Sequence, residues 1–157
     1  MRPLSPQLNA FWQAFLTHHQ LDPATPLFDA FAFGDNPQLA DELAALVLQG
    51  SKVATASLLW EYEDEGSRPP QPGDLSIVTN ADGLPLCVIQ TTGVEVRPFE
   101  QVSEEFAAAE GEGDLSLASW RDGHWKYFGR VCLRIGRELS LRMPVVCERF
   151  RVIYQAG

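Results

Sequence analysis

Only three cysteines occur in the chain, Cys87, Cys132 and Cys147. They stand far apart in apolar surroundings and form no paired metal-ligand spacing, which excludes a disulfide framework and predicts buried thiols in a reducing compartment. No stretch approaches the roughly 18 consecutive apolar residues of a membrane-spanning helix. A basic start followed by an apolar run, the mark of a secretory leader, is also missing. These absences predict no membrane partner and a cytoplasmic location. Basic residues are scarce as well: 12 Lys and Arg face 21 Asp and Glu, for a net charge of −9. Such a balance argues against strong nonspecific binding to a polyanion, because phosphates are contacted chiefly by lysine and arginine. What is present is ordinary for a globular chain, 157 residues of which 45% are hydrophobic. That is enough for one core in one domain.

The charge is unevenly spread. Residues 121–151 carry Arg121, Lys126, Arg130, Arg134, Arg137, Arg142, Arg149 and Arg151 against Asp122, Glu138 and Glu148. At about 100° per residue, Lys126, Arg130, Arg134 and Arg137 form a stripe opposite Trp125, Phe128, Cys132, Ile135 and Leu139. The stripe reads as a solvated helix face, with contact to a nucleic acid or to the acidic loops of a second copy as the alternatives. A homodimer is therefore one expectation. The same rotation carries Arg121 round to the apolar side, with His124 at its edge. A charge placed there needs an acidic neighbour or a polar ligand.

Local signals order the chain into alternating elements. Leu8, Phe11, Trp12, Phe15 and Leu16 recur at helical spacing, so residues 6–20 read as a helix. Residues 27–33 read as a short strand. Gly34-Asp35-Asn36-Pro37 offers a cap and a first-turn proline for a helix over 37–49, closed by Gly50. A strand is predicted over 52–62, then an acidic, proline-rich loop to Gly73. Residues 75–79 and 84–92 form a hairpin around Asn80-Ala81-Asp82-Gly83, extended by 94–98. A short acidic helix ends near Gly111, a long one runs from Asp114 towards Leu139 with Asp114 or Ser116 as cap, and 145–154 is a closing strand.

Chemistry-bearing residues gather where the capped helix meets the next strand. Lys52, Thr55 and Ser57 could supply a base, a nucleophile and a hydrogen-bond donor, a set suited to acyl transfer. The alternative is an ordinary strand start. Residues 52 and 55 would point to opposite faces of a regular strand, so a shared site requires Lys52 to lie in a turn. Glu110, Glu112 and Asp114 alternate with glycines, which suits a carboxylate aimed into a cleft, oxygen ligands for a divalent cation, or simply a solvated helix end. Among the aromatics, Trp120 falls off the apolar stripe and is the candidate for stacking on a base. His18 and His19 match no metal spacing.

Taken together, Gly50-x-Lys52-x-x-Thr55-x-Ser57, Phe33-Gly34-Asp35, Cys87-Val88-Ile89, Ala109-Glu110-Gly-Glu112-Gly-Asp114, Ser119-Trp120-Arg121 and the closing strand resemble the ASCH family over about residues 31–155. The resemblance implies an α+β fold, a small PUA-like β-barrel with flanking helices over residues 31–157, and makes residues 1–30 a helical extension packed on it. It implies RNA-related ligands: a modified nucleoside or single-stranded RNA. Some members look like amidohydrolases acting on N4-acetylcytidine, others like ribonucleases, and others have no assigned activity. The amidohydrolase pattern places catalytic roles on Lys52, Thr55 and Glu112, with Glu110 as the alternative acid. Glu110, Ser57, Trp120, Arg121 and His124 are the candidate substrate-binding residues. That reading needs no cofactor and no metal, whereas the ribonuclease reading admits a divalent cation. One departure is Gln90, where related strands often end in an acidic residue.

Overall fold

The computed structural model describes residues 3–156. Five strands form one sheet: β1 (Asp29–Phe31), β2 (Ala54–Leu58), β3 (Leu75–Thr79), β4 (Pro85–Pro98) and β5 (Pro144–Gln155). Their spatial order is β1-β3-β4-β5-β2. Only β1 and β3 run parallel; every other pair is antiparallel. The long strands β4 and β5 stay paired from Cys87–Gln155 to Pro98–Pro144, with register shifts at Val88/Ile89 and Thr91/Gly93. Such irregularities bend a strand and increase its twist. The outcome is an α+β fold whose sheet curls into a half-barrel, with β1 and β2 left as its edges.

Helices cover the sheet because each presents an apolar stripe. Helix α1 (Pro6–His18), capped by the Ser5 hydroxyl, buries Trp12, Phe15 and Leu16 against Ile77 and Val88. Helix α2 (Pro37–Leu48), capped by Asn36, buries Leu43, Ala44 and Val47 against Val78, Cys87, Ile89 and Phe150. The third cluster joins α4 (Glu104–Ala109) and α5 (Leu117–Ile135) to Ala54, Leu58, Met143, Val145 and Cys147. All three cysteines are free and buried, and among the described residues no helix is long and apolar enough to cross a membrane.

Two elements depart from the sequence reading. The predicted strand over 52–62 stops at Leu58, and α3 (Leu59–Glu65) follows directly. Its first turn is closed by the Glu61 carboxylate, which accepts from the Leu58 amide at 3.1 Å, and its end by Gly66 in the left-handed conformation. Aromatic Trp60 and Tyr62 suited a strand equally well; the difference lies in this cap and in contacts to α5. Helix α5 is also shorter than expected. Ser116, rather than Asp114, caps it by accepting from the Ser119 amide, and Gly136 ends it. Gly123 lies within α5 and does not interrupt it. Trp125, assigned to the buried stripe, is 36% exposed and packs its ring against Phe99.

The basic stripe is bound to acids of the same chain. Arg130 meets Asp35 at 2.6 Å, Arg134 meets Glu61 at 3.3 Å, and Lys126 meets Asp122 at 3.2 Å. Arg137 lies 3.9 Å from Glu63 and over the Trp60 ring. The stripe ties α3 and the loop before α2 to α5 through surface pairs while its side chains stay 47–68% exposed, a solvated face as expected.

Candidate active site

Between the two edge strands lies a cavity of about 480 Å³, lined by residues of β1, β2, α3, the Glu110–Gly113 loop and α5. Lys52 sits at its wall, just outside the β2 ladder. Gly50, with φ +81°, reverses the chain after α2, and the Ser51 and Lys52 amides both donate to the Leu46 carbonyl. The Val53 amide then donates to the Ala109 carbonyl at 2.9 Å, so the chain enters β2 already fastened to α4. This bend removes the difficulty of parity: Lys52 and Thr55 both line the cavity.

The Lys52 side chain is 1% exposed. Its Nζ donates to the Ala54 carbonyl at 2.7 Å, to Glu112 Oε2 at 2.8 Å and to Glu110 Oε2 at 3.4 Å. A buried ammonium requires this kind of surrounding. Glu110, also 1% exposed, is the C-cap residue of α4. Gly111 then turns the chain with φ +70°, and a Cβ there would stand 2.2 Å from the Ser51 carbonyl oxygen. Only glycine permits so close an approach of the acidic loop to the Lys52 backbone. The glycine spacing noted in the sequence thus sets both carboxylates beside one lysine.

His124, one turn into α5 beyond Trp120, completes the cluster. Its Nδ1 lies 2.9 Å from the Trp120 carbonyl and its Nε2 lies 3.2 Å from Glu110 Oε2. The Trp120 carbonyl only accepts, so Nδ1 carries a proton, and an ionised carboxylate at Nε2 favours a proton there too, that is, the imidazolium form. Burial lowers the His124 pKa, but the hydrogen bond and charge of Glu110 outweigh it and hold the value above the ordinary one. Burial alone would raise the Glu110 carboxyl, yet Lys52 and His124 keep it well below the usual carboxylate range. Glu112 moves the other way: burial and its hydrogen bond with Glu110 raise its pKa despite Lys52. Two neighbouring carboxyls pushed apart in this way divide into one that stays charged and one that takes up a proton more readily. Glu110 Oε1 is buried and, among the described residues, accepts from no N–H or hydroxyl.

The other predicted site residues divide. Thr55 and Ser57 face the cavity from β2, and Ser57 Oγ lies 3.0 Å from the Tyr62 hydroxyl, whose pKa burial pushes up to about 12. Trp120 lines the cavity but is 5% exposed, with its ring stacked on His124 at 4.2 Å and against Phe99 at 5.4 Å. The expectation of a free stacking platform is thereby corrected, since these neighbours occupy the ring. Arg121 lies away from the cavity; exposed, it donates to the Glu100 carbonyl at 3.1 Å. Gln90 is engaged by Arg151 and does not line the cavity.

Four cavity carboxylates were missed in the sequence: Asp29 on β1, Glu61 and Glu65 on α3, and Glu148 on β5. Glu148 pairs in register with Thr55 and accepts from the Thr91 hydroxyl at 2.7 Å, with its pKa raised by burial. An acid interrupting the apolar run Val145-Val146-Cys147 was the signal available.

Donor atoms of Glu110, Glu112 and His124 lie within 4.8 Å of one another, a spacing compatible with a cation. The Lys52 ammonium already fills the gap between the two carboxylates, and His124 offers Glu110 a proton rather than a lone pair. The cluster as it stands therefore does not fit a resident divalent ion.

A family model described as the ASCH domain matches residues 29–154. The crystal structure of an ASCH domain from Lactobacillus crispatus JV V101 is 36% identical with a TM-score of 0.89, covering 99% of each chain. A crystal structure of an Enterococcus faecalis V583 protein is 35% identical with a TM-score of 0.87, covering 95% of this chain and 89% of that one. A hypothetical protein of known structure shares the fold at 14% identity and a TM-score of 0.51, covering 80% of this chain and 98% of that one. No curated protein matches the chain.

Proposed function

Because this chain belongs to the ASCH domain family, an assignment that suggests RNA-related ligands, we propose that it hydrolyses the exocyclic amide of an N4-acylated cytidine. The observation that carries this reading is the contact of Lys52 Nζ with Glu112 Oε2 at 2.8 Å, buried in the wall of a cavity that Thr55 also lines. A proton passed from Lys52 to Glu112 leaves the net charge of the site unchanged. It produces at once a neutral amine and a protonated acid, the two groups that amide cleavage needs.

In this mechanism the Lys52 amine takes the Thr55 hydroxyl proton as Oγ attacks the acyl carbon. Glu112 then protonates the departing N4 of cytosine, which leaves as cytidine, and the acyl group remains on Thr55 as an ester. The same transfer from Lys52 to Glu112 prepares the second half. Lys52 takes a proton from water, whose oxygen attacks the ester, and Glu112 returns a proton to Thr55 Oγ. Glu110 stays ionised, holding Lys52 and His124 in place. No metal takes part.

Cleavage of single-stranded RNA and binding without turnover receive less support. Extended RNA would engage the α5 stripe, and its residues are already paired with acids of the chain. The same pairs engage the residues that a second copy would have met. Incubation with N4-acetylcytidine and, separately, with a single-stranded RNA tests the reading. Release of cytidine that is lost in Lys52→Ala supports it; shortened strands lost in Lys52→Ala would replace it with a nuclease, and silence on both substrates would leave a binding role.

A further inference from the structure

We infer that the cavity takes an unphosphorylated nucleoside and rejects its phosphates, with Asp29, Glu65 and Glu148 forming a carboxylate wall that receives sugar hydroxyls. The inference rests on the nucleoside reading above and assigns the part of the cavity which the proposed chemistry does not use.

The charge inventory carries it. Six carboxylates line the cavity, Asp29, Glu61, Glu65, Glu110, Glu112 and Glu148, against Lys52, Arg130 and the His124 ring. None of the three is free, since Lys52 is held by Glu110 and Glu112, Arg130 by Asp35, and His124 by Glu110. Beside the mouth, Arg68 lies over the Phe28 ring at 4.5 Å, and Asp74 takes both its terminal nitrogens at 2.8 and 3.0 Å. Among the described residues, every cation at the cavity or over a ring that lines it is thus engaged by a carboxylate. A phosphate entering here would meet like charge with nothing free to neutralise it.

What the wall lacks for an anion it has for a donor. Glu148 is fixed by the Thr91 hydroxyl at 2.7 Å through Oε2, and Asp29 uses Oδ1 to accept the Ala30 amide at 2.8 Å. Each retains accepting capacity, and ionised carboxylates accept only. A ribose offers hydroxyl donors in matching number, and Phe28, Phe31 and Tyr62 supply apolar surface beside them. Glu65 adds charge from α3 on the same side, and its charge is felt at Asp29.

Calorimetric titration of the wild-type protein with cytidine and with cytidine 5′-monophosphate tests this without requiring turnover. Cytidine is expected to bind at least about tenfold tighter at low salt. Because exposed charges are screened over a Debye length of about 10 Å at 0.1 M, the ratio should shrink as salt rises. Glu148→Gln should narrow it too, and Asp29→Asn, on an edge strand, serves as a second variant if the first fails to fold. Equal or tighter binding of the monophosphate would overturn the inference while leaving amide hydrolysis intact. A preference that neither salt nor both variants change would also overturn it, by showing a steric cause. Failure of cytidine to bind at all would remove it, and failure of turnover with cytidine still bound would remove only the proposed reaction.

Discussion

Lys52 and Glu110 form an ion pair at 3.4 Å in which both side chains are 1% exposed, and Glu110 is shared with His124 at 3.2 Å on its other side. Desolvated charges of this kind are stable only as a set, because removal of one partner leaves another buried and uncompensated. The site is consequently part of the fold's own balance as well as its chemistry.

Lys52→Met is expected to destabilise the protein by about 3–5 kcal/mol. Lys52→Met combined with Glu110→Gln should cost less than the sum of the two single changes, since Lys52 and Glu110 then no longer leave each other unpaired. Urea denaturation of the two variants, read as a double-mutant cycle with Glu110→Gln, measures the coupling. Additive losses would show that the two side chains do not interact.

The pH dependence has a definite sign. His124 has its pKa raised in the folded state, so its contribution is complete below the unfolded value and fades as pH rises through the folded value. Glu110 has its pKa lowered, so its contribution is present above the ordinary carboxylate value and fades on acidification through the folded one. Thermal unfolding of His124→Asn should therefore lack the decline that the wild type shows as pH rises beyond the usual histidine range. An identical profile for both proteins would count against the imidazolium.

At Gly111 an added Cβ meets the Ser51 carbonyl oxygen at 2.2 Å, whereas Gly83, with φ +80°, has nothing within 4 Å. Gly83→Ala should cost about 1–2 kcal/mol, the strain of the left-handed conformation alone. Gly111→Ala should cost more and should also lower turnover, because the loop carrying Glu112 must move. Activity left at the wild-type level in Gly111→Ala would mean that the placement of Glu112 is unimportant.

Arg130 and Asp35 are 56% and 32% exposed, and an ion pair of that exposure contributes about 0–1 kcal/mol. Arg130→Ala is expected to shift stability only within that range. If single-stranded RNA binds, its affinity should not fall in Arg130→Ala, and a steep fall with a reduced salt slope would restore the stripe as a nucleic-acid surface.

How much of this was legible in the sequence follows from how local each signal is. Asn36 and Pro37 announced α2, and the alternation of residues 52 and 55 required the turn at Lys52 that Gly50 supplies. The acidic loop and its glycines were visible, but their contact with Ser51 was not. Helix α3 was read as strand because its fate depends on Glu61 reaching back to the Leu58 amide and on Arg134 in a distant helix. The stripe's partners were equally hidden: Asp35 lies 95 residues from Arg130, and Glu61 lies 73 from Arg134. Asp29 and Glu148 join the cavity only through the strand order, which no local pattern encodes.

The most direct test is to mix wild-type protein with N4-acetylcytidine, quench during turnover and weigh the intact protein, with Thr55→Ala treated in parallel. An acetyl group on the wild type that maps to Thr55, with neither adduct nor cytidine release in Thr55→Ala, is the predicted result. Cytidine released by Thr55→Ala at the wild-type rate would contradict it.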